Sequence, residues 1–340
     1  MIDEEWVREH FDYVSDELAH DLYGTLAKSR QLCPVTHSDA RGGYWVVTKY
    51  EDVLRIAQDW DTFSSQLGIT IPKNDSVALA IPVHIDPPLH REYKRLINAY
   101  FTPAAVAPYE DRTRALVHRL IDGFIEKGEC DFQEEFAVPF PAMAFFEFVL
   151  NAPSDEVVRL SELSTGASNP TNPDSAACWK GLTDWIDSFL EDRQKQPARG
   201  DVVDAVLAAE IEGRPITYTE VRAIILLLIL GGLDTTTGAL GHFMMRFCEQ
   251  PEIPQLLRDK PELIPDAVEE LLRLDGPFIA IGRTARTDTQ IGGCPVAAGE
   301  KVLISWASAN RDEDEFPDPD RFALDRASNR HLAFGAGPHR

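Results

Sequence analysis

Near the middle of the chain the sequence reads Leu230-Gly231-Gly232-Leu233-Asp234-Thr235-Thr236-Thr237-Gly238, with Gly241 close behind. It lies in a proline-free run over residues 219–249 with a helical pattern, roughly 45 Å long at 1.5 Å per residue. Four glycines at about 1 kcal/mol each relative to alanine, with three β-branched threonines, are a poor choice for a helix that only holds a core. Thr235 follows Gly231 by four residues, so its hydroxyl can donate to the Gly231 carbonyl, while the bare glycines leave a groove for a small molecule against the backbone. An acid at Asp234, beside that groove, can supply protons. Local sequence alone nevertheless favours a break in the helix, with Asp234 capping the segment that follows.

Two other constellations stand out. Glu270 and Arg273 lie three apart on a helical run over residues 265–274, so they share a face and can form a fixed ion pair. Such pairs are common, and on a surface they are worth under about 1 kcal/mol. The chain ends in a glycine-rich turn sequence, His331-Leu332-Ala333-Phe334-Gly335-Ala336-Gly337-Pro338-His339-Arg340. Metal chemistry has little support. The cysteines, Cys33, Cys130, Cys178, Cys248 and Cys294, are far apart with no C-x-x-C pair, and read as reduced packing residues. His84, His118 and His242 have no ligand spacing.

The elements that must carry these residues are mostly helical. Asp86-Pro87-Pro88 opens a run over 89–101, and Pro103 opens another to residue 127, where Leu116, Leu120, Ile121, Phe124 and Ile125 recur at helical spacing until Gly128. Residues 168–174 form a loop, a candidate mobile lid, before a helix over 176–194. Strand signals are short, over 44–50, 278–284, 290–296 and 301–306, and 312–325 is a meandering coil. The expectation is a mainly α fold with small β-sheets, in a single domain over residues 1–340, since neither repeat nor linker interrupts it.

Charge narrows the function. Asp and Glu number 56 against 33 Lys and Arg, a formal net charge of −23 that repels phosphate backbones and anionic headgroups, so neither nucleic acid nor membrane is an expected partner. The most apolar stretch, 223–233, is about half a bilayer span and reads as a buried helix. Acidic residues Asp3, Glu4 and Glu5 stand where a secretory signal carries basic ones, which points to the cytoplasm.

Taken in order, the motifs resemble those of a bacterial cytochrome P450, a haem-thiolate monooxygenase, over essentially the whole chain. The family's oxygen-binding helix is matched by Gly231, Gly232, Asp234 and Thr235, and its E-x-x-R helix by Glu270 and Arg273. Its P-x-R-F meander is matched by Pro319, Arg321 and Phe322, and the F-G-x-G start of its haem loop by Phe334, Gly335 and Gly337. The resemblance implies a prism-shaped domain holding haem b between the long helix and the C-terminal loop, with Asp234 and Thr235 delivering protons to bound dioxygen. Glu270, Arg273 and Arg321 would lock the core beneath the haem. Its propionates would be met by His90, Arg283 and His339, with Lys94 a point charge at a further propionate position. The substrate pocket would be lined from residues 69–85, 168–175, 226–230 and 278–281, including Val77, Ile81, Leu230, Phe278 and Ile279. These apolar side chains suit a lipophilic terpenoid, steroid or fatty compound. A basic cluster, Arg91, Lys94, Arg95, Arg112 and Arg114, would suit an acidic ferredoxin or flavodoxin as electron donor.

The haem loop of the family continues to a cysteine whose thiolate is the proximal iron ligand. By this spacing that cysteine would directly follow Arg340, so the metal ligand is expected outside the sequence, the parent gene product is expected to be the monooxygenase, and this chain, incomplete at its C-terminus, is expected to be inactive by itself. The alternative is a small-molecule binding module that keeps the apolar pocket without thiolate-ligated haem. A peroxide-driven oxygenase is disfavoured by the Asp234-Thr235 pair. Sequencing the gene beyond the Arg340 codon separates these readings: an in-frame cysteine codon is expected, whereas a stop codon puts the binding module first.

Overall fold

The computed structural model describes residues 2–72, 79–152, 156–169 and 171–340. Its residues group into two compact units, one made of 75–241 and the other of 1–74 together with 242–340.

The first unit is helical. Helix α1 (Leu89–Asn98) starts directly after Pro88 and buries His90 and Tyr93. The run expected over 103–127 is not one helix. Short helical turns at Pro103–Val106 and Ala107–Tyr109 precede α2 (Glu110–Asp122), because Pro108 has no N–H for the ladder. Gly128, at φ +75°, ends the segment in the left-handed conformation that glycine adopts without strain. Helices α3 (Val157–Ser168) and α4 (Ser175–Gln194) pack together with the first half of α5 (Tyr218–Glu249), burying Leu160, Leu182, Ile186, Leu190, Ile225 and Ile229 in one core. The loop between α3 and α4, expected to be a lid, is pinned in its described part: Asn172 Nδ2 donates to the Gly166 carbonyl at 2.7 Å, and Ser175 Oγ to the Ala167 carbonyl at 3.0 Å.

A capping box starts α5. The Thr217 N–H donates to Glu220 Oε2 at 2.7 Å and the Glu220 N–H to Thr217 Oγ1 at 3.3 Å. Arg214 grips the same carboxylate through two nitrogens at 2.6 and 2.9 Å, and the Tyr93 hydroxyl of α1 donates to it as well. Hydrogen bonding from Arg214 foremost holds Glu220 far below the ordinary carboxylate range. Helix α5 is long and apolar enough to cross a membrane by length and composition, yet Val221, Ile224, Ile225, Leu226, Ile229 and Leu233 are buried in the protein core.

The second unit carries the larger sheet and a hairpin, while a further antiparallel pair, Glu210–Ile211 with Arg214–Pro215, lies in the first unit. Strands β1 (Val35–Ser38), β2 (Tyr44–Val47), β3 (Phe63–Ser64), β4 (Ala280–Ala285), the hairpin β5 (Thr289–Ile291) and β6 (Cys294–Val296), and β7 (Lys301–Ser305) follow along the chain. Among the described residues the larger sheet has the order β1-β2-β7-β4-β3, with β2 and β7 parallel and the other neighbours antiparallel. Gly292 and Gly293, at φ +56° and +84°, form a hairpin tip that splits the strand expected over 290–296 into two. The cysteines are all free, but Cys130 and Cys248 are exposed and are not the packing residues expected.

Helix α6 (Ile264–Asp275) presents the Glu270–Arg273 pair, which is not a surface bridge, since each residue is only 1% exposed. Arg273 Nε and Nη2 donate to the two carboxylate oxygens at 2.8 and 2.9 Å. The remaining Nη1 donates to the Asn310 and Pro319 carbonyls at 2.8 Å each, and the guanidinium lies 5.0 Å over the Phe316 ring. Burial works against ionised Glu270, but hydrogen bonds from Arg273 and Arg326 hold it below the ordinary carboxylate range. Here the structure corrects the meander assignment. The Arg321 side chain is exposed and pairs with Asp325, and only its carbonyl faces Arg273. The second guanidinium on Glu270 belongs to Arg326, whose Nε donates at 2.9 Å. Arg326 also donates to the Pro317, Asp318 and Arg321 carbonyls, so it ties the meander to α6.

Removing one partner strands a buried charge, so Glu270→Ala should cost about 3–5 kcal/mol. Arg326→Ala should cost at least about 2 kcal/mol, while Arg321→Ala stays within about 0.5 kcal/mol. Urea unfolding of the three variants checks this order, and equal losses for Arg321→Ala and Arg326→Ala would refute the assignment.

Candidate functional site

The glycine-rich middle of α5 is helical throughout, so the expected break with Asp234 as a cap does not occur. Side-chain contacts explain the continuity. Thr235 Oγ1 donates to the Gly231 carbonyl at 3.1 Å, the contact its four-residue spacing allows, and Thr237 Oγ1 reaches the Leu233 and Ala137 carbonyls at 2.9 Å each. Each hydroxyl gives a carbonyl on the helix a second donor without opening the ladder.

The glycines divide into two kinds. A Cβ on Gly231 would meet nothing within 4 Å, whereas one on Gly232 would lie 2.5 Å from the Phe145 ring. Gly241 likewise admits Gln133, whose Oε1 would be 2.9 Å from an added Cβ. The groove read from the sequence is therefore confined to Gly231, and Gly232 is bare because Phe145 packs there.

Asp234 points to α3. Ser164 Oγ, fully buried, donates to Asp234 Oδ2 at 2.6 Å, and Thr165 Oγ1 lies 3.3 Å from Oδ1. Burial raises the carboxyl above its ordinary range, opposed by the hydroxyls of Ser164, Thr165 and Ser168, and no charged side chain among the described residues contributes. Ser164, Thr165 and Phe145 carried no signal in the sequence, because their partners lie far along the chain.

On α1, His90 is buried, and burial followed by the charge of Lys94 pushes its imidazole down to about 4, so at neutral pH it is an uncharged N–H donor. Burial also lowers Lys94. Ile81 lies in the core of the same unit with its N–H on the Ala223 carbonyl at 3.2 Å, and Leu230 packs against that core. Val77 lies outside the described residues. The basic cluster is partly neutralised: Arg95 pairs with Glu92 and Arg114 with Glu110, while Arg112 lies 4.3 Å over the Phe148 ring.

In the second unit Arg283 is buried on β4, with Nη1 on the Gly282 carbonyl at 2.8 Å. His339 Nε2 shares a 3.0 Å hydrogen bond with Ser65 Oγ. Gly335 and Gly337 have φ +73° and +71°, and a Cβ on Gly337 would run into the Ala57 carbonyl of the helix Tyr50–Gln58, so the turn takes only glycine there. Phe334 is 57% exposed, and Phe278 and Ile279 are exposed too.

Haem asks for backbone that a flat apolar ring can approach and for donors to two carboxylates. The open backbone at Gly231, the exposed Phe334, the uncharged His90 and the buried Arg283 are of the types it needs, so the residues present fit the group.

The cytochrome P450 family model matches residues 142–340. Linalool 8-monooxygenase of Pseudomonas putida is 28% identical, the alignment covering 96% of this chain and 85% of that protein. A probable cytochrome P450 127A1 of Sinorhizobium fredii is 36% identical over 90% of this chain and 73% of its own length. Among solved structures, CYP109E1 from Bacillus megaterium in complex with testosterone superposes with a TM-score of 0.86 at 25% identity, covering 96% of this chain and 86% of that one.

The two neighbouring glycines should respond oppositely to alanine. Gly231→Ala is expected to keep or raise the melting temperature, by up to about 1 kcal/mol of helix propensity, while Gly232→Ala should lose about 1–3 kcal/mol through overpacking on Phe145. Thermal unfolding of both variants decides it, and equal effects would contradict the packing described.

Proposed function

The chain belongs to the cytochrome P450 family, and from that premise we propose that its residues serve the insertion of one atom of dioxygen into a lipophilic small molecule, the other atom being reduced to water with electrons from a redox partner. The observation that carries this reading is the Asp234-Thr235 pair on an unbroken α5, beside the open backbone of Gly231. Residues 1–340 act in it as parts of one domain, in the cytoplasm.

Haem b supplies, when bound, an iron that binds dioxygen and accepts electrons. His90, Lys94, Arg283 and His339 would hold its propionates, an uncharged imidazole and a guanidinium serving as hydrogen-bond donors and the ammonium as a point charge. Gly231 and the Phe334–Gly337 turn are the glycine-containing segments that would hold its ring. The Thr235 hydroxyl, anchored on the Gly231 carbonyl, both accepts and donates, so it can take a proton on Oγ1 while releasing its own. Asp234, raised by burial, holds a proton more readily than an exposed aspartate does. Ile81 and Leu230 would keep the substrate side apolar, which favours a carbon skeleton over a charged one.

The names of two relatives, one for linalool and one solved with testosterone, support a terpenoid or steroid as the substrate class. A ferredoxin or flavodoxin-type donor is supported by Arg91, Lys94, Arg95, Arg112 and Arg114, a local concentration of positive charge on a chain of net charge −23.

In the haem-loaded protein supplied with a donor, turnover of a terpenoid or steroid under ¹⁸O₂ should place one labelled oxygen in the product. Thr235→Ala should keep consuming electrons while product per electron falls by about tenfold or more. Label arriving from water would refute the reaction, and unchanged coupling would refute the role of Thr235.

A further inference from the structure

Among the described residues Asp234 is held by hydroxyls alone. Ser164 donates at 2.6 Å and is fully buried, Thr165 donates at 3.3 Å, and Ser168 lies one turn beyond Ser164. The three lie on α3, and Thr165 and Ser168 are exposed where Ser164 is not. A cation in their place would stabilise only the ionised carboxylate. A hydroxyl donates to the carboxylate and accepts from the carboxylic acid, so this arrangement holds the side chain in both protonation states. It leaves burial free to raise the proton affinity, with no fixed positive charge opposing it.

We propose that Ser164 is a positioning residue for the Asp234 proton: its buried hydroxyl fixes the carboxyl against α3, where the exposed hydroxyl of Thr165 connects it to solvent, so that protons reach Asp234 through α3. The transfer balances. A hydroxyl that takes a proton from water on its oxygen and releases its own to the carboxylate ends unchanged, and Asp234 gains one proton.

The functional weight of this route rests on Asp234 as the proton source of the oxygenase, but its existence is measurable without turnover. Infrared titration of the chain labelled with ¹³C-carboxyl aspartate reads the midpoint directly, Asp234→Asn identifying the band. Ser164→Ala removes the strongest donor to the ionised form, so the midpoint should rise by about one pH unit, a tenfold gain in proton affinity. Thr165→Val, at an exposed position that leaves the core intact, should raise it by a smaller amount, about twofold in affinity. If Ser164→Ala does not fold, the Thr165→Val midpoint decides alone. Midpoints unmoved in the folded variants overturn the proposal, whatever the enzyme oxidises. Midpoints that move in a protein that never labels a product from ¹⁸O₂ keep the α3 route and overturn the oxygenase reading instead.

Discussion

The Phe145 ring pressed on the bare backbone of Gly232 is the contact on which the middle of α5 depends. A helix crossing four glycines and three threonines gives up several kcal/mol of propensity, and isolated in water it would not persist. Here the deficit is met from outside, by the aromatic ring packed where a methyl would otherwise be and by the Thr237 hydroxyl tied to the Ala137 carbonyl. Because the helix survives, Asp234 and Thr235 stay in register one residue apart on one rod. A break would have left Asp234 spending its carboxylate on a backbone N–H.

A second constraint is the treatment of charge. The chain is strongly acidic overall, yet its buried ionic groups are matched with care. Glu270 has Arg273 and Arg326, Glu220 at the start of α5 has Arg214, and Asp234 in the middle of the same helix has hydroxyls. Where the structure needs a fixed charge it uses a guanidinium fork, which keeps the carboxylate ionised and its geometry rigid. At Asp234, the proton carrier of the proposed reaction, no cation is supplied. The same carboxyl group is thus a brace at one place and free to hold a proton at another, and the neighbours make the difference.

Local spacing carried the parts of this picture that depend on nearby residues. The four-residue step from Gly231 to Thr235, the three-residue step from Glu270 to Arg273 and the stop at Gly128 were all legible, because helix and turn geometry relate residues only a few positions apart. Contacts between distant segments were not. Arg321 and Arg326 both follow Pro319 in a coil without period, and only the folded path of the meander shows which guanidinium reaches Glu270. Likewise nothing local distinguishes Ser164 from the other serines of α3, since its partner is 70 residues away. The break expected at Asp234 failed for the same reason, since Phe145 is remote in sequence.

The capping box at the start of α5 makes that helix a ruler. Glu220 is clamped by Thr217, Arg214 and Tyr93, so the N-terminal end is fixed in rotation as well as in place. From there to Asp234 the rod runs about 21 Å at 1.5 Å per residue. One residue inserted or removed in that interval would advance Asp234 by only about 1.5 Å but swing it through about 100°, away from Ser164 and toward a different face. Substitutions along the interval are a matter of packing and can be absorbed one at a time, whereas its length is a matter of phase. Among descendants of this sequence, the span between cap and acid is therefore the place where side chains are free to drift and the residue count is not.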